Sequence, residues 1–278
     1  MDKTLTLVLG PTAVGKTDYA IELAKEYGSP VISCDSRQIF KEMRIGTAPP
    51  SEEQLRVVRH YFIFSHSVSN HYSAGQYELD AMALLSDLFR SHDRLVMVGG
   101  SGLYADAVCY GFDDFPPADQ ELRKRLTERA MTEGVGVLAE ELRKLDPESY
   151  AVIDLSNRQR VVRALEVTLS TGRKFSSFKT NPQKKRFFNV ERRVLTMPRE
   201  ELYARIDRRT EMMFEAGLVA EVRSLERFRN MPALKTVGYS EVFGYLDGTI
   251  SLDEAVDLVK RNTRRYAKRQ ITWFNKYL

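Results

Sequence analysis

Residues 10–17, Gly-Pro-Thr-Ala-Val-Gly-Lys-Thr, follow the pattern G-x-x-x-x-G-K-[ST] and stand between a short apolar run, residues 5–9, and an amphipathic segment, residues 16–27. No other feature restricts the fold as strongly. Such a loop needs a buried strand to feed it and a helix to leave it, so that backbone N–H groups at the helix start converge on an anion. Gly10, Pro11, Thr12, Ala13, Val14 and Gly15 are expected to wrap a phosphate group. Lys16 would neutralise its charge, and the Thr17 hydroxyl would reach a phosphate oxygen or Mg²⁺.

The neighbouring segments extend this unit. Tyr19, Ala20, Leu23, Ala24 and Tyr27 share one helix face. Residues 30–34 read as a second strand, 73–91 as a helix and 95–98 as a third strand. Continuous apolar strands between amphipathic helices predict the α/β class, a parallel sheet with helices on both faces. A turn-rich break follows at residues 112–117. From 119 to about 170 only helical patterns occur, interrupted by Gly134, Gly136 and Pro147, which predicts an all-helical insertion. A basic connector (172–189), one more strand (193–197) and three helical stretches, the last over 252–277, complete the chain. The expected organisation is a core over 1–112, an insertion with its connector over 113–189, and the second part of the core over 190–278.

Of 278 residues, 43% are hydrophobic and 29% charged, a globular balance. No stretch approaches the ~20 apolar residues that span a bilayer. Cys34 and Cys109 form no CxxC, which leaves neither a disulfide framework nor a cysteine zinc site. A cytoplasmic monomer without membrane association is expected. The net charge of +4 hides an asymmetry: residues 1–154 carry 16 basic and 24 acidic side chains, residues 155–278 carry 26 and 14. Such a surplus points to a polyanion, nucleic acid first. Arg261, Arg264, Arg265 and Lys268 gather on one helix face, where like charges cost roughly a few tenths of a kcal/mol per pair unless an anion or distant carboxylates answer them. Arg158, Arg160 and Arg163, and Lys184, Lys185 and Arg186, form two further basic patches. Phe187 and Phe188 would stack on bases or enter the core.

A phosphate cradle alone does not make a nucleoside triphosphatase. Those enzymes hold Mg²⁺ with an acid at the end of a neighbouring strand, yet residues 95–98 run into Gly-Gly-Ser-Gly. The carboxylate stands instead after the second strand, as Asp35, at the sheet end that faces the phosphate loop. There it acts on a substrate or caps the next turn. His60, His66 and His71 lack the spacing of a zinc site and read as loop or structural residues. Tyr266 and Trp273 share a helical stripe with Ala255 and Val259, which reads as core packing ahead of base stacking.

Eight segments in order, GPTAVGKT (10–17), DSRQIF (35–40), IGTAPP (45–50), YSAGQY (72–77), VGGSGLY (98–104), RQRVVRALEV (158–167), TVGYSE (236–241) and AKRQITWF (267–274), together resemble the tRNA dimethylallyltransferase (tRNA isopentenyltransferase) family over nearly the whole chain. The resemblance implies a P-loop kinase-like core with a helical insertion. It implies transfer of a dimethylallyl group from dimethylallyl diphosphate to N6 of adenosine 37, 3′ of the anticodon, in tRNAs reading codons that start with U, with Mg²⁺ as cofactor and the tRNA anticodon stem-loop as partner. On that pattern Asp35 is the general base, while Lys16 and Thr17 hold the diphosphate. The segments matching the tRNA contacts contain Asp35, Ser36, Arg37, Gln38, Ser101, Arg123, Gln159, Arg160, Val161, Val162, Arg163, Lys235, Gly238, Tyr239, Lys268, Arg269 and Gln270, and the basic face adds Arg261, Arg264 and Arg265. Four positions depart from the family: Val14 and Phe40 replace a serine and a tyrosine, Ser101 a threonine, and Ser240 a basic residue, so that one contact to diphosphate or tRNA is expected to differ. A C-terminal tail carried by some relatives is expected to be absent after Leu278.

Three alternatives share parts of this pattern. An ATP-binding kinase would use the same loop, but the strand-end acid it needs is missing from this chain. An isopentenyltransferase acting on free adenine nucleotides would not need the basic C-terminal face. A non-catalytic RNA-binding scaffold would not need Asp35.

Overall fold

The structure, a computed structural model, describes residues 2–180 and 183–278. Five strands, β1 (Thr4–Leu9), β2 (Val31–Ser33), β3 (His60–Tyr61), β4 (Arg94–Val98) and β5 (Asn189–Val194), form an all-parallel sheet in the order β3-β2-β4-β1-β5. Parallel neighbours need long crossovers. The first part of the chain supplies α1 (Lys16–Tyr27), α2 (Glu52–Val57), α3 (Ala74–Leu88) and α4 (Gly102–Tyr110). Side chains of β1 alternate between the faces. Leu5, Leu7 and Leu9 join a core with Tyr77, Ala81 and Leu85 of α3 and Ala105 and Val108 of α4, whereas Val8 packs with Ala20 and Ala24 of α1. Burial on both sides is why these strands read as unbroken apolar runs. The fold is α/β, as expected, with helices covering both faces.

Residues 111–184 form a compact unit of their own. It contains α5 (Gln120–Thr132), α6 (Val135–Leu145), α7 (Pro147–Val152) and α8 (Arg158–Thr171) around Leu126, Leu138, Leu142, Val161 and Leu165. Pro147 starts α7 and Gly134 separates α5 from α6, but Gly136 lies inside α6 and interrupts nothing. Buried Asp146 accepts hydrogen bonds from the backbone and hydroxyl groups of Ser149 and Ser176, tying α7 to the turn after α8.

The other unit, residues 1–110 and 185–278, is completed by α9 (Arg199–Glu215), α10 (Leu218–Ser224), α11 (Tyr239–Leu246) and α12 (Leu252–Phe274). Three elements escape the sequence reading: α2, which has a Ser51–Gln54 capping box but no buried residue, the two-residue β3, and α4; α9 to α12 also stand where three helical stretches are expected. β5 begins four residues before the expected 193–197. The apolar residues that suggested the later start, Leu195 and Met197, leave the sheet and pack with Val14 of the phosphate loop and with Leu202, Ile206 and Ala267. Leu195 also crowds Gly10: at φ 146° a Cβ there would fall 2.6 Å from the Leu195 carbonyl oxygen. The strand end thus forms the floor of the loop. Among the described residues, no helix is long and apolar enough to cross a membrane.

Candidate active site

The phosphate loop is held from three sides. Val14 is buried beneath it, so the serine-to-valine departure is absorbed as packing. Gln270 of α12 accepts a hydrogen bond from the Thr12 N–H (2.8 Å) and donates to the Gly100 carbonyl (2.9 Å), bracing the loop against the end of β4. Arg209 of α9 donates to the Thr12 hydroxyl (2.5 Å). Lys16 folds back to donate to the Pro11 carbonyl (2.7 Å). Lys16 and Thr17 line a cavity of about 390 Å³. Burial pulls the Lys16 ammonium down to about 8, with Asp35 opposing that shift and Arg209 adding to it.

Asp35 caps the turn after β2 and also faces the cleft. Its Oδ1 accepts from the backbone N–H groups of Arg37 (2.8 Å) and Gln38 (3.2 Å), closing the turn after β2. No hydrogen bond among the described residues engages its Oδ2. Its charge acts on Lys16, Arg209 and Tyr266. A second cavity, about 190 Å³, adjoins the first, and six residues line both: Thr12, Asp35, Thr47, Ala48, Arg209 and Tyr266. Asp35 therefore stands where a pocket floored by the phosphate loop meets a pocket walled by Arg37, Met213, Val237, Gly238 and Val259.

Other anticipated residues divide into those that face this cleft and those that do not. Ser36 and Arg37 line the second cavity and Gln38 the first. Ser101 is buried and accepts from the Ser36 N–H (2.9 Å), so it shapes the Asp35 turn from behind. Gly238 reaches the cleft, Lys235 is exposed, and Ser240 is exposed and lines neither cavity. Four expected RNA contacts are corrected by burial. Tyr239 is fully buried and donates to Glu221, Gln270 is occupied by its brace, and Val161 and Val162 lie in the core of the 111–184 unit. A backbone match to a binding segment does not say which way its side chains point.

Basic residues divide in the same way. Arg123 and Arg163 both bind Glu166, a carboxylate with no exposed surface, at 2.7 Å. Such buried partners cost several kcal/mol, roughly, when one is removed. Gln159 and Arg160 are exposed on the same helix. Arg186 is nine-tenths buried, bonding Glu78 and the carbonyls of Ala107 and Val108, and belongs to the core rather than to a surface patch. Lys184 pairs with Asp114. On α12, Arg264 pairs with Asp207, whereas Arg261, Arg265, Lys268 and Arg269 are exposed and form no ion pair among the described residues. Phe188 is buried, and the half-exposed Phe187 packs edge-on against it and against Phe89.

Tyr266 corrects the core reading of its stripe: its ring lines both cavities. Burial and the Asp35 charge push its hydroxyl up to about 12, so it stays protonated. Trp273 lies against the start of α4, where a Cβ on Gly102 would come within 2.3 Å of the indole, and remains partly exposed. His60 binds the Val58 carbonyl and His66 contacts Ser65. Among the described residues, no group of three or more His, Cys, Asp or Glu is arranged to hold a metal. Sequence reasoning missed Arg209 altogether. The available signal was Arg205 and Arg209, four residues apart on one helix, both of which line the first cavity.

The Gln270 brace carries a direct prediction. Gln270→Ala strands a buried N–H and a carbonyl, so stability falls by about 1–3 kcal/mol, measured by chemical denaturation. Inorganic pyrophosphate binding, measured by calorimetry, weakens with it because Thr12 loses its anchor.

The family model described as IPP transferase matches residues 38–277. A tRNA dimethylallyltransferase of Cytophaga hutchinsonii is 50% identical over 276 residues, covering 99% of this chain and 91% of the relative. A tRNA dimethylallyltransferase 1 of Phocaeicola vulgatus is 44% identical over 99% of this chain and 92% of its own length. Among solved structures, the full-length tRNA isopentenylpyrophosphate transferase of Bacillus halodurans superposes with a TM-score of 0.71 at 38% identity, over 99% of this chain and 87% of that one. A eukaryotic dimethylallyltransferase acting on tRNA shares the fold, with a TM-score of 0.82 at 24% identity over 98% of this chain and 70% of that one.

Proposed function

Because this chain belongs to the IPP transferase family of tRNA dimethylallyltransferases, we propose that it transfers a dimethylallyl group from dimethylallyl diphosphate to N6 of adenosine 37 in cytoplasmic tRNAs that read codons starting with U. One observation carries the reading: Asp35 stands at the junction of two cavities, of which one is floored by an anion-binding loop.

The chemistry follows from that junction. The lone pair of adenine N6 is delocalised into the ring, so the amine is a weak nucleophile and needs positioning, a base and a good leaving group. The diphosphate lies on the amides of residues 12–17, with Lys16 and Arg209 answering the charge that grows as the C1–O bond breaks. Attack by N6 forms the N–C1 bond, and the proton it releases passes to Asp35 Oδ2, Oδ1 being held by the turn. An allylic carbon suits this site because its positive charge is shared along the allyl group. The donor set suits Mg²⁺ bound chiefly through phosphate oxygens and water: the Thr17 hydroxyl lines the cavity and makes no hydrogen bond among the described residues. When bound, Mg²⁺ would screen the negative charge of the diphosphate.

Base chemistry requires the adenine to leave its stack, which is cheaper in an anticodon loop than in a duplex. Exposed Arg261, Arg265, Lys268 and Arg269 would hold the RNA phosphates. The joint Arg265→Ala, Lys268→Ala variant raises KM for tRNA and lowers the salt slope of tRNA binding by about 2, one per contact, while KM for dimethylallyl diphosphate stays within about twofold; equal shifts in both constants would contradict the assignment.

The function is tested by incubating the protein with dimethylallyl diphosphate, Mg²⁺ and unmodified tRNA, then mapping the product by nucleoside mass spectrometry. A dimethylallyl adduct on N6 that disappears when position 37 is guanosine is expected. Phosphate transfer from ATP in place of prenylation, or modification of free adenine nucleotides alone, would overturn the reading.

A further inference from the structure

The cleft has one wall with no regular secondary structure. Residues 44–48 join the turn after β2 to the segment leading into α2, and through Thr47 and Ala48 they line both cavities at their junction. Ala48 has a left-handed backbone (φ 46°), a conformation that costs about 1 kcal/mol or more for a residue with a Cβ unless its surroundings enforce it. Something outside the loop must hold it.

We infer that Glu221 of α10 is the positioning residue that sets this wall. Its Oε2 accepts from the backbone N–H groups of Arg44 and Ile45, both at 2.8 Å, and its Oε1 from that of Gly46 at 3.1 Å. Three consecutive amides converge on one carboxylate, which has no basic partner among the described ion pairs. The Tyr239 hydroxyl donates to the same Oε1 at 2.6 Å and fixes the rotamer, while the Tyr239 ring lies so close under Gly46 that a Cβ there would fall within 2.6 Å of it. Across the loop, Gln38 donates its amide to the carbonyls of Thr47 (3.2 Å) and Ala48 (3.0 Å), and the Thr47 hydroxyl donates to Met43 (2.6 Å). The wall is therefore pinned on one side by the turn that carries Asp35 and on the other by Glu221. Glu221 lines neither cavity; it acts on the reaction through backbone alone. A carboxylate suits this role because charge-assisted bonds to three amides are stronger than neutral ones, and a reacting pair misplaced by about 1 Å loses about 10²-fold in rate.

The inference rests on the proposed transfer, and its test separates the two. Wild type, Glu221→Gln and Glu221→Asp are compared by hydrogen exchange over residues 43–50, by thermal midpoint, by calorimetric binding of inorganic pyrophosphate, and by kcat and KM for dimethylallyl diphosphate and tRNA. Glu221→Gln should speed exchange over that segment, lower kcat about tenfold or more, and leave the thermal midpoint within a few degrees and pyrophosphate affinity within about twofold. Glu221→Asp, which keeps the charge on a shorter arm, should recover part of kcat. Unchanged exchange, unchanged kcat with a loosened loop, or a variant that is unfolded at the assay temperature would each overturn the positioning role. A wild type that exchanges slowly over 43–50 but transfers no dimethylallyl group would instead sink the functional reading.

Discussion

Asp35→Asn lowers turnover by about 10²–10⁴-fold, the contribution of a well-placed general base, while tRNA binding and the thermal midpoint stay close to wild type. The divided use of the carboxylate makes this variant informative. An asparagine keeps an oxygen that accepts from Arg37 and Gln38, so the turn after β2 survives, but it offers no carboxylate oxygen for the N6 proton. Asp35→Ala removes both functions. It loses the same turnover and, in addition, about 0.5–2 kcal/mol of stability, the usual cost of deleting a capping side chain. Single-turnover kinetics with filter-binding of tRNA separates the outcomes. If Asp35→Asn retained most of the turnover, the carboxylate would be a capping group only.

The second large effect belongs to Lys16. Its ammonium is held near 8 by burial, so it carries its charge below that pH and sheds it above. A diphosphate prefers the charged form. The affinity of wild type for dimethylallyl diphosphate, taken relative to Lys16→Met, should therefore be flat below about pH 7 and fall by up to about tenfold per pH unit above pH 8, each binding event then taking up one proton. At pH 7 itself Lys16→Met binds about 10- to 100-fold more weakly, the worth of a charge-assisted bond to the ligand. Titration calorimetry in two buffers of different ionisation enthalpy measures both the affinity and the proton uptake. A ratio that does not change between pH 6 and 9.5 would mean that Lys16 is not the group gripping the anion.

How much of this site can be read from the chain depends on how local each part is. The phosphate loop is legible because its glycines, Lys16 and Thr17 lie within eight residues and between a strand and a helix, and Asp35 is legible because the strand order of a parallel sheet puts the end of β2 near that loop. Arg209, Tyr266 and Thr47 are another matter. They come from a helix, a second helix and an irregular segment, and only tertiary packing brings them together. Periodicity marked Tyr266 as an apolar stripe residue because it shares a helical face with Val259. That face borders the cleft, so the same pattern serves a cavity wall as well as a core.

The basic half of the chain shows the converse problem. Arg163, Arg186 and Arg264 looked available to RNA by their charge and Arg123 by the family resemblance, yet each answers a carboxylate of this chain, Glu166, Glu78 or Asp207. Such partners lie 3 to 108 residues away, and all but the nearest are out of reach of helical spacing rules. β5 was displaced for a related reason: Leu195 and Met197 serve the floor of the phosphate loop rather than the sheet, and hydrophobicity alone does not distinguish the two uses.

The most direct measurement is a crystal structure of the protein with a non-hydrolysable dimethylallyl diphosphate analogue, Mg²⁺ and an anticodon stem-loop. The diphosphate should lie on the amides of residues 12–17 beside Lys16 and Arg209, with the flipped adenine placing N6 about 3 Å from Asp35 Oδ2. A complex with the adenine bound away from Asp35, or with the prenyl diphosphate excluded from the loop, would contradict the account.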